Sequence, residues 1–228
     1  MDFGDAFGSA LRLLVERDQQ VLSAVGVSLW VALFATTLAT LLGAPLGFWV
    51  GTREFRGRRA AELILNTSTA LPTVVVGLLT YALLSRRGMF GALGLLYTPS
   101  AMVIGETILV TPLMAALTMA VVSGADPRIQ ETALTLGASR MTAALTVVSE
   151  MRRGLLAAIA TGFGRLISEL GIALMVGGNI LGSTRTMTTA IALETSKGEF
   201  ALGLALGLIL LVVALAVNVG VALVAPTR

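Results

Sequence analysis

The chain has no cysteine and no histidine among its 228 residues. Without cysteine there can be no disulfide, no thiolate nucleophile and no sulfur ligand for zinc. Without histidine the commonest general base and metal ligand is missing as well. Carboxylates alone could hold a metal, but they are scattered singly, so no metal site is expected. Lysine is nearly absent: of sixteen basic residues only Lys197 is one. Charged residues make up 13% of the chain, against about 25% in a soluble domain. The net charge of +3 is small and lies mostly in loops, so it reads as a topology signal and excludes a nucleic-acid surface.

What is present in excess is apolar. Hydrophobic residues reach 56% and the mean hydropathy is +0.90. One soluble core cannot bury that much, so the bilayer is the expected solvent. Five long apolar segments are visible, over residues 22–50, 63–84, 98–122, 154–176 and 200–225. Each meets the ~20 residues that a spanning helix needs. The first is long enough to tilt or protrude. Pro45, Pro72 and Pro112 fall inside these segments and are expected to kink them. Gly43 with Gly47, and Gly203 with Gly207, form small-xxx-small pairs that suit close helix contact, although glycine is common in membrane helices generally. No cleavable signal peptide is expected, because Asp2, Asp5, Arg12, Glu16, Arg17 and Asp18 interrupt the start of the chain. Phe3, Phe7, Leu11 and Leu14 are spaced for a short N-terminal amphipathic helix lying on the membrane.

Loop charge sets the expected orientation. Arg53, Arg56, Arg58, Arg59, Arg128, Arg140, Arg152, Arg153 and Arg228 share one side if there are five spans. Arg12, Arg17, Arg86, Arg87, Arg185 and Lys197 share the other. The positive-inside rule puts the N-terminus outside and the C-terminus in the cytoplasm.

The stretch from 123 to 153 is too polar to span and too regular to be disordered. Asp126 is placed to cap a helix beginning at Pro127. Gly137 should end that helix, and Ser139 should cap the next. The expected product is two short cytoplasmic helices with a sharp turn between them. By itself this could be an ordinary interfacial connector. Within the fourth segment Arg165 and Glu169 are four residues apart and share a helix face, where they can pair. An isolated charge at the bilayer centre costs roughly 3 kcal/mol or more. The two residues, with Gly171, are either a buried pair that fixes packing or part of a pathway or gate. Glu106 is a lone carboxylate in the third segment, a partner for a distant arginine or a group near the outer mouth.

Several motifs together carry a resemblance. Glu131-Thr132-Ala133-Leu134-Thr135-Leu136-Gly137-Ala138-Ser139 resembles the Glu-x-Ala-x-x-x-Gly loop of type I ABC importer permeases. Leu71-Pro72-Thr-Val-Val-Val-Gly77, followed by Arg86-Arg87-Gly88 and Phe90-Gly91, is similar to molybdate permeases. Arg165-Leu-Ile-Ser-Glu169-Leu-Gly171 matches the family's Arg-x-x-x-Glu-x-Gly segment. Met175-Val-Gly177-Gly178-Asn179-Ile and Thr184-Arg185-Thr186-Met-Thr188-Thr189 through Glu194 resemble the tungstate-specific branch. The similarity runs from the first span to the end. It departs at Glu150 and Gly154, where many members have proline, so a different bend is expected at that junction.

The resemblance implies an all-α integral membrane permease with five transmembrane helices per protomer. It implies one transmembrane domain over residues 1–228, with residues 123–153 as its cytoplasmic coupling loop. The implied function is import of an oxyanion, foremost tungstate, by alternating access in a prokaryotic inner membrane. Molybdate and sulfate are the alternative cargoes. The implied partners are a second copy of the chain, two ATPase subunits, an extracytoplasmic binding protein and membrane lipid. The chain lacks a Gly-x-x-x-x-Gly-Lys-[Ser/Thr] phosphate loop, so it is expected to be non-catalytic, with ATP and Mg bound on the partner ATPase. Glu131, Thr132, Ala133, Leu136, Gly137, Ala138 and Ser139 are the implied ATPase contacts. A carboxylate in an anion path would repel the cargo, which argues against Glu106 and Glu169 as ligands. Oxyanions are better held by amides, hydroxyls and a mobile arginine. Gly177, Gly178, Asn179, Thr184, Arg185 and Thr186 offer those groups in an outer loop that could equally meet a binding protein or simply be solvated. A secondary transporter needing no ATPase, or a membrane scaffold, fits the sequence less well.

Overall fold

The computed structural model describes residues 18–224. The expected N-terminal amphipathic helix lies outside the described residues. The described chain is helical and contains no β-strand. In order the helices are α1 (Gln19–Thr52), α2 (Arg58–Ser68), α3 (Thr73–Leu84), α4 (Pro99–Ser123), α5 (Pro127–Thr135), α6 (Arg140–Glu150), α7 (Arg152–Ile167), α8 (Met187–Lys197) and α9 (Phe200–Val224).

The centre is α4, packed along most of its length against α1. Asp18 starts α1 by accepting from the amides of Gln20 (2.8 Å) and Val21 (3.2 Å). The buried side of α1 is built from small residues: Ala24, Ala32, Ala35, Ala39, Gly43 and Gly47. That choice lets the backbones approach closely. A Cβ added at Gly43 would lie 2.5 Å from the Thr111 carbonyl oxygen, and one at Gly47 would lie 2.9 Å from the Ala115 carbonyl carbon. The Gly43–Gly47 pair is therefore a helix contact. The Gly203–Gly207 pair is looser: Gly207 has open space beside it, and a Cβ at buried Gly203 would make an ordinary 3.4 Å contact with Thr195 of α8. Met102, Val110 and Met114 of α4 and Ile172, Val176 and Met187 fill the remaining core.

Three helices, at Gln19–Thr52, Pro99–Ser123 and Phe200–Gly220, are continuous and apolar enough to cross a bilayer. The other two expected spans are broken. The second consists of α2 and α3, bent by 93° at Thr69–Pro72. Pro72 is not inside a helix there, because it sits in extended conformation as the residue before α3. Pro45 and Pro112, by contrast, stay inside helices. The fourth segment, expected to be continuous over 154–176, stops at Ile167. The Ser168 hydroxyl donates back to the carbonyls of Gly164 (3.0 Å) and Arg165 (3.1 Å). The chain then re-enters a π-helical turn at Ala173–Gly177. Irregular backbone at membrane depth survives only when it is covered by protein or lines a watery cavity.

Candidate functional site

The polar loop forms a helical hairpin. Asp126 caps α5 by accepting from the Arg128 amide at 2.9 Å, with Pro127 in the first helical position. Gly137 has φ +87°, a left-handed conformation that L side chains resist. Ser139 then caps α6 by accepting from the Thr142 amide at 3.1 Å. Glu131, Thr132, Gly137 and Ser139 are exposed at this turn, Ala133 and Ala138 are half-buried, and Leu136 is 83% exposed. All seven residues expected at a cytoplasmic contact thus lie on one hairpin, with an apolar side chain at its tip. Beside it is a polar cavity of about 440 Å³, lined by Gly51, Glu54, Arg58, Asp126, Glu131 and Val147. Arg58 bridges Glu54 (2.6 Å) and Glu62 (2.8 Å) on its rim. Helices α6 and α7 abut with only Met151 between them. No loop separates the hairpin from the broken fourth segment.

At the break, Arg165 and Glu169 do not pair. Helix α7 ends between them, so the four-residue spacing no longer places them on one helix face. Glu169 turns inward, is 6% exposed, and its Oε1 accepts from the amides of Gly171 (2.8 Å) and Ile172 (3.3 Å). It caps the re-entrant segment. Gly171 sits against it, where a Cβ would lie 2.9 Å from the Thr73 hydroxyl. Arg165 is exposed, and among the described residues no carboxylate lies within 4.0 Å of it. Glu106 is 2% exposed, and its Oε2 has no hydrogen-bond partner among the described residues. It is neither paired with an arginine nor open to water, unlike both sequence expectations.

The segment from Gly177 to Thr189 is locked, not loose. Gly178 (φ +72°) and Asn179 (φ +53°) turn the chain after Gly177. Thr184 donates to the Gly177 carbonyl at 2.6 Å and accepts from the Ile180 amide at 3.0 Å. Arg185 donates to the Asn179 side chain at 3.1 Å and lies 3.9 Å from Glu194. Thr186 and Thr189 form a reciprocal capping box that starts α8. Thr188 donates to the Glu169 carbonyl at 2.7 Å, tying this segment to the break. Arg185 is thus a structural clamp and not a mobile arginine. Glu194, which lies on α8, was not expected as its partner. It is 5% exposed and also holds Lys197 at 3.0 Å.

Comparison with known proteins adds relatives to this geometry. Residues 43–228 match the family model for the binding-protein-dependent transport system inner membrane component. The tungstate uptake system permease protein TupB of Campylobacter jejuni is 42% identical, covering 88% of this chain and 84% of its own. The protein of the same name from Peptoclostridium acidaminophilum is 38% identical, covering 88% of both. The molybdenum transport system permease protein ModB of Escherichia coli is 28% identical over 74% of this chain and 80% of its own. Among solved structures, a bacterial ABC transporter importing alginate superposes with a TM-score of 0.75 at 18% identity, covering 97% of this chain and 84% of that one. The inward facing MetNI methionine transporter gives 0.72 at 15% identity, covering 91% and 96%. These likenesses establish the fold as that of importer permeases. The chain is an all-helical, multi-pass membrane protein that belongs to the inner membrane component family of binding-protein-dependent ABC transport systems.

Proposed function

We propose that the chain is the membrane-spanning subunit of an ATP-driven importer whose cargo is tungstate. The observation that carries this is identity of 38–42% with two permeases named for tungstate uptake, over 88% of the chain. The protomer has five passes: α1, the bent α2–α3 pair, α4, α7 with its re-entrant continuation, and α9. Two copies enclose the pathway. The N-terminus lies outside and the C-terminus in the cytoplasm. Residues 1–228 act as one transmembrane domain, and 123–153 is its coupling element.

Two ATPase subunits bind ATP and Mg and dock on the α5–α6 hairpin, at Glu131, Thr132, Ala133, Leu136, Gly137, Ala138 and Ser139. Exposed Leu136 and Leu134 supply an apolar anchor for such a contact. An extracytoplasmic binding protein delivers the oxyanion to the opposite face. Closure of the ATPase dimer moves the two hairpins together. The α6–α7 junction at Met151 passes that displacement to the broken span, which shifts as a packed body between two states.

The test is uptake into proteoliposomes holding the permease, its ATPase and its binding protein. ATP-dependent accumulation of tungstate, not displaced by excess sulfate, supports the assignment. Molybdate is the second cargo to try, because permeases named for molybdenum transport match at 28–29% identity. Preferential uptake of molybdate would transfer the assignment to that anion.

A further inference from the structure

The exposed surface of the spans is of two chemical kinds. On α9 it is made of large aliphatic side chains: Leu211 (68%), Val212 (65%), Leu215 (64%) and Leu223 (76%). On α1 it is similar, with Leu33, Leu41 and Leu42 all above half exposed. Such faces suit lipid or another apolar surface. Helix α7 is different. Arg153, Ala157, Thr161 and Arg165 recur every four residues, all exposed, and Ser168 follows one turn on. Gly164 beside Arg165 has open space around it. From Arg153 to Arg165 the axial rise is about 18 Å, over half of a hydrocarbon core of ~30 Å. A bare arginine at that depth is costly against lipid. It is stable where the stripe meets water.

The chain break supports the same assignment. Irregular backbone at Ser168–Leu170 must face protein or a wet cavity, and both Ser168 and Leu170 are exposed. The hydroxyls of Thr161 and Ser168 already donate to the carbonyls of Ala157 (2.9 Å) and Gly164 (3.0 Å). Arg165 therefore supplies the uncommitted donors nearest the break, Arg153 lying about 18 Å away at the other end of the stripe. Arg185 is committed to Asn179 and Glu194. Glu169, the other charge of the motif, is turned away onto its own backbone amides.

We infer that the Arg153–Ala157–Thr161–Arg165–Ser168 face of α7 lines the water-filled pathway and that Arg165 is the anion-selecting group on it. The inference rests on the oxyanion-importer reading for its cargo, but not for its exposure to water. At the break in this face a tetrahedral dianion meets the Arg165 guanidinium, which can donate two hydrogen bonds and release it again.

The absence of native cysteine makes a direct test possible. Thr161→Cys, Ser168→Cys and, as the lipid-facing control, Leu215→Cys are prepared singly in the assembled transporter in membrane vesicles. Membrane-impermeant methanethiosulfonates of either charge are then applied. The first two cysteines should react and the third should not. Relative to a free thiol in solution, the anionic reagent should be favoured over the cationic one by up to about thirtyfold, because the reagents differ by two unit charges and each is worth about 1 kcal/mol at contact range in water. Adding Arg165→Gln should abolish that preference, and Arg165→Lys should keep it. Thr161→Cys as inert as Leu215→Cys, or a preference untouched by Arg165→Gln, overturns the inference. In uptake, Arg165→Gln in the cysteine-free protein should lower tungstate transport by about tenfold or more, the loss of one charged hydrogen bond, with the ATPase still co-purifying. Normal uptake by that variant also overturns it. Wild-type protein that imports neither tungstate nor molybdate would instead refute the cargo reading, and the labelling pattern would still decide where Arg165 lies.

Discussion

Replacing Gly47 with alanine adds one carbon at the tightest helix contact in the molecule. That carbon would lie 2.9 Å from the Ala115 carbonyl carbon and 3.0 Å from its Cα, and closer still to the Ala115 carbonyl oxygen. Carbon–carbon contacts are optimal at about 3.5–4.0 Å, so α1 and α4 must part by roughly 0.5–1 Å. The obstacle is backbone, which cannot rotate out of the way. A gap of that size forfeits a quarter to a half of the dispersion energy of each affected contact. The α1–α4 interface is the most extensive in the fold, so the loss falls at the upper end for overpacking, about 3 kcal/mol. Gly207→Ala is the control. Open space surrounds Gly207, and alanine there should be neutral or gain up to about 1 kcal/mol from helix propensity. Thermal unfolding of the detergent-solubilised protein, followed by loss of monodisperse material, reads both. Equal melting temperatures for Gly47→Ala and Gly207→Ala would refute the close-contact argument.

Three further outcomes are expected. Gly137→Val forces a β-branched residue into a left-handed turn and should prevent recovery of the ATPase subunit on tagged permease, whereas Gly137→Asn, which tolerates that conformation, should retain most of it. Glu169→Ala strands the amides of Gly171 and Ile172 and should cost about 1–3 kcal/mol in an unfolding assay, while Glu169→Gln keeps one acceptor and should lose less. Arg185→Met should destabilise by about 1–3 kcal/mol by removing the donor to Asn179 and the more distant of the two cations beside Glu194. A stable Arg185→Met protein that no longer transports would show that Arg185 handles cargo after all.

What was legible in the sequence was what local chemistry decides. Asp126-Pro127, Gly137 and Ser139 mark caps and a turn whose hydrogen bonds close within three residues, and each is where it was expected. Three of the five apolar runs are continuous helices long and apolar enough to cross a bilayer. The interruption of the fourth run was hidden because Ser168 and Glu169 read as two polar residues on a continuous helix. In the fold they bond to nearby backbone, end α7 and cap the next segment. Helix α8 was hidden inside a threonine-rich stretch that looked like a loop, although the Thr186–Thr189 capping box is local. Partnerships across the fold left no trace in spacing: Gly43-x-x-x-Gly47 and Gly203-x-x-x-Gly207 are identical patterns, and only in the first do both glycines press on another helix's backbone. Arg185 looked like a mobile anion donor because Glu194, nine residues on, could not be placed beside it.

On the proposed function, this chain moves an oxyanion only when an ATPase pushes on the α5–α6 hairpin. This is tested most directly by loading proteoliposomes with ATP and measuring tungstate uptake with and without the ATPase subunit, binding protein being present throughout. The account predicts accumulation only in the complete system, and its loss with Gly137→Val. Equal uptake by the permease alone, independent of ATP, would contradict it.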